Sequence, residues 1–195
     1  MSTIDDLGGW PTILSDLLAR RDLPSGTCRA IMATILRGDA TPAQLAAFLV
    51  ALRAKGETDA EMAGLLEAVV AEAVAVTLPS GLAGRAMDIV GTGGDASGSV
   101  NISTGTSLLA AACGLPVIKH GNRSISSRSG SADVLEALGI DIQLPTEKLR
   151  KAVTDVGFGF LFAQRFHTSM KHVMPARTQL KIRTVFNILG PLANP

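Results

Sequence analysis

Two stretches of this chain combine glycine, hydroxyl and cationic residues in a way that suits a phosphorylated ligand. The first is Gly91-Thr92-Gly93-Gly94-Asp95, running on to Asn101-Ile102-Ser103-Thr104. Glycines let the backbone turn tightly and aim several N–H groups at one point. Such a nest beside the positive end of a helix favours phosphate or pyrophosphate. The spacing is not the dinucleotide pattern, because the third glycine comes too early, and no Gly-Lys-Ser/Thr follows to make a Walker loop. Taken alone, the loop reads equally well as an ordinary turn with Ser103 or Thr104 as a helix N-cap.

The second stretch is Lys119-His120-Gly121-Asn122-Arg123-Ser124, then Ser126-Ser127 and Ser129-Gly130-Ser131. Lys119, Arg123 and Arg128 supply positive charge and the serines supply hydroxyl donors, a set that fits several phosphates. Taken singly, the serines read as a polar surface loop; the two loops together favour a phosphate site. A third stretch, His167-Thr168-Ser169-Met170-Lys171-His172 leading to Arg177 and Arg183, stays open on residue types alone. Its histidines lack the i, i+4 spacing and the glutamate of a zinc helix.

The elements around these loops follow from the hydrophobic pattern. Residues 1–80 read as helices. Ile13, Leu14, Leu17 and Leu18 recur at helical spacing, as do Ile31, Met32, Ile35 and Leu36 before a stop at Gly38. Thr41 and Pro42 open a helix with Leu45, Phe48, Leu49 and Leu52 on one face and Gly56 at its end. Thr58 and Glu61 have capping-box spacing ahead of Met62, Leu65, Leu66, Val69 and Val70. Pro79-Ser80-Gly81 marks a boundary.

Beyond it, short strands are expected at Met87–Val90, Pro116–Lys119, Ile140–Ile142 and Phe158–Phe162, with helices at Thr104–Cys113 and Ala132–Leu138. Alternating strands and helices imply a parallel sheet. Ligands of such sheets gather at the carboxyl ends of the strands, so the two loops should lie side by side. Helical periodicity returns from Met170 to Leu189, with Gly190-Pro191 as a stop.

Composition narrows the partners. A formal charge of +1 over 195 residues gives no electrostatic reason to expect nucleic acid or an anionic membrane. One tryptophan and no tyrosine make a base-stacking surface improbable on composition. The most apolar stretch, Leu65 to Leu78, contains Glu67 and Glu72 and is too short to span a bilayer. Cys28 and Cys113 are far apart and read as two buried thiols; with an acidic N-terminus unlike a signal peptide, they point to the cytoplasm.

Read together, the runs Asp88–Asp95, Asn101–Thr104, Lys119–Ser124, Ser129–Gly139 and Arg183–Pro195, with the helical run Ala40–Leu49, resemble the anthranilate phosphoribosyltransferase family over nearly the whole chain. The resemblance implies an α/β fold: a small N-terminal helical domain over 1–80, and a parallel-sheet domain of the nucleoside-phosphorylase-like type from 81. Helices within 167–190 would return to the helical domain. The active site would lie in the cleft, and members associate as homodimers through the helical domain. The implied reaction moves phosphoribose from phosphoribosyl pyrophosphate to the amine of anthranilate.

The same resemblance assigns roles. Phosphoribosyl pyrophosphate would be held by Gly91, Gly94, Asp95, Ser99, Asn101, Ile102, Ser103 and Thr104. The run Lys119, His120, Gly121, Asn122, Arg123, Ser124, Ile125, Ser126 and Ser127, and Ser131, would complete that site. Ser103 would be a ligand of Mg2+. Anthranilate would meet Gly91, Asn122 and Arg177, with His120 and His167 lining its pocket or entry. Ser99 stands where the family has Thr, and Gln164 where it commonly has Pro. Family chains run on past Pro195 and carry an acidic Asp-Glu pair for magnesium there. The expectation is therefore a fragment with an incomplete sheet, weak substrate binding and negligible turnover. A pyrimidine nucleoside phosphorylase would show a Lys-His-Ser-Thr-Gly-Gly loop instead of Val90–Asp95. A nucleic-acid-binding relative would show a basic groove.

Overall fold

The computed structural model describes residues 3–91, 100–124 and 129–194. Gly94, Asp95, Ser99, Ile125, Ser126, Ser127 and Arg128 lie outside them. The chain divides into two compact units, one from residues 1–73 and 167–193, the other from 74–166 and 194–195.

The helical unit is built from α1 (Gly9–Leu18), α2 (Ser25–Arg37), α3 (Pro42–Lys55) and α4 (Asp59–Ala71). The local signals act as the sequence suggests. Gly38 ends α2 in the left-handed conformation, φ +82°, with the His172 ring so close that an added Cβ would sit 2.7 Å from Nδ1. At α3, the Thr41 hydroxyl accepts the Gln44 N–H at 3.2 Å and the Gln44 side-chain carbonyl accepts the Thr41 N–H at 2.8 Å. At α4, Glu61 takes the Thr58 N–H at 2.8 Å. Its fully buried carboxylate does more than cap, because it also accepts the Leu23 N–H and the Lys55 ammonium, each at 2.9 Å. One side chain thus ties the lead-in of α2, the end of α3 and the start of α4.

α2 and α4 pack with backbone contact at Gly64, where a Cβ would lie 2.0 Å from the Ser25 carbonyl oxygen. Phe48, Leu49 and Leu52 of α3 meet Ile31, Met32 and Ile35 of α2 and Leu65 of α4 in one core, with Trp10 edge-on to Phe48. Val173, Val185, Phe186 and Leu189 join the same core.

In the second unit, β1 (Val117–Gly121) and β2 (Phe158–Phe162) pair in parallel, Val117 opposite Phe158 and Gly121 opposite Phe162. α5 (Ser80–Ala83) precedes the first loop, and α6 (Ile102–Ala112) follows it. Side chains alternate across the sheet. Phe160 and Phe162 meet Ala132 and Leu135 of α7 (Ser131–Ala137), whereas Ile118 and Leu161 meet Leu149 and Val153 of α8 (Thr146–Val156). Helices on both faces are the usual cover for parallel strands. The short α9 (Ala163–Phe166) follows β2 directly, and its Phe166 is buried with Leu149 and Leu161. No helix among the described residues is long and apolar enough to cross a membrane.

Several local expectations change. Of the Met87–Val90 strand only Met87 pairs, as a parallel bridge to Val117 on the side of β1 away from β2. The Asp88 side chain and the Ile89 carbonyl are taken by β1 groups instead, which fastens the segment without a continued ladder. Ile140–Ile142 is not a strand. Asp141 accepts the Gln143 N–H at 2.8 Å and turns the chain there, while Ile142 still reaches the core.

The helical periodicity from Met170 is broken into a 3-10 turn at Thr168–His172, α10 (Met174–Leu180) and α11 (Phe186–Leu192), with Lys181 left-handed at φ 52°. Gly190-Pro191 does not stop α11 but lies inside it. Proline keeps a helical φ and in a last turn removes only one N–H. Cys28 is buried but Cys113 is exposed, because it sits just past the end of α6 and not on its packed side.

Candidate active site

Gly91 is exposed at the mouth of the first loop. Asn101 precedes α6 as its N-cap, with φ −70° and ψ 68° and no side-chain hydrogen bond to the helix. Neither Ser103 nor Thr104 is the cap; they lie in the first turn. Among the described residues no side chain caps this helix start; the Ile102 N–H donates to the Val100 carbonyl at 2.7 Å and the Thr104 N–H to the Asn101 carbonyl at 3.1 Å. The Asn101 amide reaches the Ser129 hydroxyl at 3.5 Å, which puts the start of α6 next to the second loop. Ser107 donates to the Ser103 carbonyl at 2.7 Å. The fully buried Thr104 hydroxyl has no hydrogen-bond partner among the described residues. Ile102 points to solvent.

Below these loops lies a polar network that ties the approach to Gly91 onto β1. Lys119 is 1% exposed, and its ammonium donates to the Ile89 carbonyl at 2.6 Å. Asp88 accepts the His120 N–H at 3.1 Å and the Asn194 amide at 2.8 Å, and that amide also donates to the Ile118 carbonyl at 3.1 Å. Burial raises the Asp88 pKa against the pull of these donors and of Lys119. Burial lowers the Lys119 pKa against the Asp88 charge. Lys119 therefore holds the Ile89 carbonyl, two residues before Gly91, with a buried ammonium. Asp88 and Asn194 were legible only as members of longer runs; an acid at the end of a strand beside a buried lysine is the signal that could have marked them.

The second loop is closed by ionic contacts. Arg123 donates to Asp133 at 3.0 Å and to both Glu136 oxygens at 2.5 and 2.8 Å, with its guanidinium 5.8 Å from the Phe162 ring centre. The charge expected to meet phosphate is engaged by two carboxylates of α7. Asn122 accepts the Arg123 N–H at 2.8 Å, and its carbonyl accepts the Ser131 hydroxyl at 3.2 Å. Gly121 leaves room for that hydroxyl, since a Cβ would lie 2.1 Å from it.

Arg177 and His167 belong to the helical unit. The Arg177 guanidinium lies 5.8 Å over the Phe186 ring and forms no ion pair among the described residues. Burial lowers its pKa, yet arginine stays charged at neutral pH. His167 is buried, with Nε2 2.7 Å from the Ala193 carbonyl. Burial depresses its pKa, so at neutral pH it is an uncharged ring whose Nε2–H donates there.

Two domains of one family match this chain in tandem. The helical bundle domain of the glycosyl transferase family matches residues 11–73, and the a/b domain of that family matches residues 83–195. The chain belongs to the glycosyl transferase family.

Among relatives of this glycosyl transferase chain, the anthranilate phosphoribosyltransferase of Saccharopolyspora erythraea is 52% identical, over 96% of this chain and 52% of its own length. The crystal structure of anthranilate phosphoribosyltransferase from Thermus thermophilus superposes with a TM-score of 0.86 at 44% identity, covering 94% of this chain and 55% of that one. The Saccharomyces cerevisiae enzyme in complex with PRPP and Mg gives 0.83 at 32% identity, over 94% and 54%. The chain thus spans about half the length of the curated relatives it matches.

Proposed function

We propose that this glycosyl transferase moves phosphoribose from phosphoribosyl pyrophosphate to anthranilate. The anthranilate nitrogen attacks the anomeric carbon and its new C–N bond replaces the C–O bond to pyrophosphate. Pyrophosphate leaves with the bonding electron pair, and the amine nitrogen loses a proton. The observation that carries the reading is the pairing of the α6 start with the second loop through Asn101 and Ser129. It is made in a chain whose similarity to anthranilate phosphoribosyltransferases extends over nearly all of its residues.

In this reading the pyrophosphate meets the Gly91 backbone, the first turn of α6 and the run from Lys119 to Ser124, with Ser131 alongside. Lys119 contributes its buried positive charge from beneath. The same reading assigns Gly94, Asp95, Ser99 and Ile125 to Ser127 to this ligand, all of them outside the described residues. Arg177, with no carboxylate partner among the described residues, pairs with the anthranilate carboxylate; Asn122, His120 and His167 are taken as further contacts of that substrate. A second substrate held in place this way makes the attack effectively intramolecular.

Mg2+ fits the donor chemistry only in part. Ser103 offers one hard oxygen in the first turn of α6, and no group of three or more His, Cys, Asp or Glu side chains suited to a metal occurs among the described residues. Magnesium characteristically completes its shell with ligand phosphates and water. When bound, it would neutralise charge on the departing pyrophosphate. The protein acts as a cytoplasmic homodimer in this reading.

Calorimetry of phosphoribosyl pyrophosphate with and without Mg2+ tests it, together with fluorescence detection of N-(5-phosphoribosyl)anthranilate. Saturable binding strengthened by Mg2+ is expected. Failure of phosphoribosyl pyrophosphate to bind with Mg2+ present would overturn the assignment.

A further inference from the structure

Asp133 does more than cap α7, where as the third helical residue it accepts the N–H of the N-cap Gly130. Its Oδ2 accepts two backbone N–H groups from opposite ends of the second loop, Gly130 at 2.7 Å and Ser124 at 3.2 Å. Its Oδ1 accepts Arg123 at 3.0 Å. The crossing is tight: a Cβ on Gly130 would lie 2.4 Å from the Ser124 nitrogen and 2.7 Å from the Asn122 carbonyl oxygen. The same two N–H groups are the main reason that the Asp133 pKa lies below the ordinary carboxylate range, so the acceptor stays ionised at neutral pH.

We propose that Asp133 is a positioning residue that, with Arg123 as its counter-ion, clamps Asn122–Ser124 onto the start of α7 and so preforms the surface that receives the phosphates. The inference rests on the phosphoribosyl reading above and deepens it. It also gives Arg123 a role beyond contact with the phosphates. Its guanidinium is committed to Asp133 and Glu136, and its planar fork suits that bidentate use. Asp133 touches no phosphate. It acts through the backbone it holds.

The proposal makes a signed prediction. Two carboxylates against one guanidinium leave the cluster with one surplus negative charge. If charge alone mattered, Asp133→Asn would remove an anion near the site and tighten binding of a polyanion. Under the positioning role it loosens binding, because the two backbone N–H groups then share a neutral amide oxygen in place of a carboxylate oxygen and the amide NH2 faces the Arg123 guanidinium. Glu136→Gln is the control, since it removes the same charge but no acceptor of a backbone N–H.

The experiment measures phosphoribosyl pyrophosphate binding by calorimetry in Mg2+, the KM and kcat wherever turnover is measurable, and amide exchange at Ser124 and Gly130. For Asp133→Asn we expect faster exchange at both amides and a Kd for phosphoribosyl pyrophosphate raised about tenfold, as for loss of one charge-assisted hydrogen bond. We also expect KM raised more than kcat is lowered, and a smaller change in Glu136→Gln. Unchanged exchange, tighter binding, or an equal loss in Glu136→Gln would each overturn the clamp. Unaltered parent protein that shows slow exchange at both amides but no binding would instead overturn the phosphoribosyl reading, and the clamp's role in it.

Discussion

Replacing Glu61 by Gln should cost the helical unit about 3 kcal/mol, the lower end of the cost of breaking a buried charge pair by removing one partner. The reason is specific. Glu61 has no solvent exposure, and its two oxygens serve the Leu23 and Thr58 N–H groups and the Lys55 ammonium. The Lys55 side chain is only 3% exposed, and its other carboxylate partner, Asp22, is 66% exposed and well solvated. Glutamine keeps one acceptor oxygen and turns its NH2 towards groups that themselves donate. Lys55 then stays buried with a weaker counter-charge.

Urea unfolding followed by the fluorescence of Trp10, the only tryptophan, reads the effect directly, because that ring packs on Phe48 in the same core. Acid adds a second signature. Burial alone would raise the Glu61 pKa, but its donors outweigh burial and hold it below the ordinary glutamate value. A carboxylate depressed in the folded state adds stability that is present above its unfolded pKa of about 4.3 and lost as pH falls through the folded value. That acid-linked loss should shrink in the Gln variant. A cost under about 1 kcal/mol, the size expected for an exposed ion pair, would refute the reasoning.

Other outcomes follow from close approaches and unpaired charge. Gly64→Ala should destabilise the helical unit by at least the roughly 1–3 kcal/mol of ordinary overpacking, because the obstacle is the Ser25 backbone; thermal melts check it. Gly130→Ala should disturb the second loop and weaken phosphoribosyl pyrophosphate binding while Trp10-monitored stability holds, since its neighbours are backbone atoms of 122–124. On the proposed reaction, Arg177→Lys should raise the KM for anthranilate about tenfold and leave that for phosphoribosyl pyrophosphate nearly unchanged, because lysine lacks the planar fork. Steady-state kinetics with each substrate varied separates the two.

The sequence by itself determined whatever depends on neighbours along the chain. The capping box of Thr58 and Glu61, the N-cap at Thr41 and the stop at Gly38 are local signals satisfied by local bonds. The parallel pairing class followed from strands alternating with helices. The glycine and hydroxyl runs marked the loops. Against this, α8 was unread although Leu149 and Val153 have helical spacing, because charged residues dominate its other face.

Tertiary structure decided the rest. It ended the Met87 strand after one bridge, since β1 offered Lys119 and the His120 N–H to the segment. It made Glu61 a three-way junction by bringing in Leu23 from 38 positions away. It gave Arg123 the carboxylates of Asp133 and Glu136, 10 and 13 positions on, as partners. Residue type announces that a group can bind an anion. Which anion it meets depends on the carboxylates that folding brings within reach, and only packed distance carries that information.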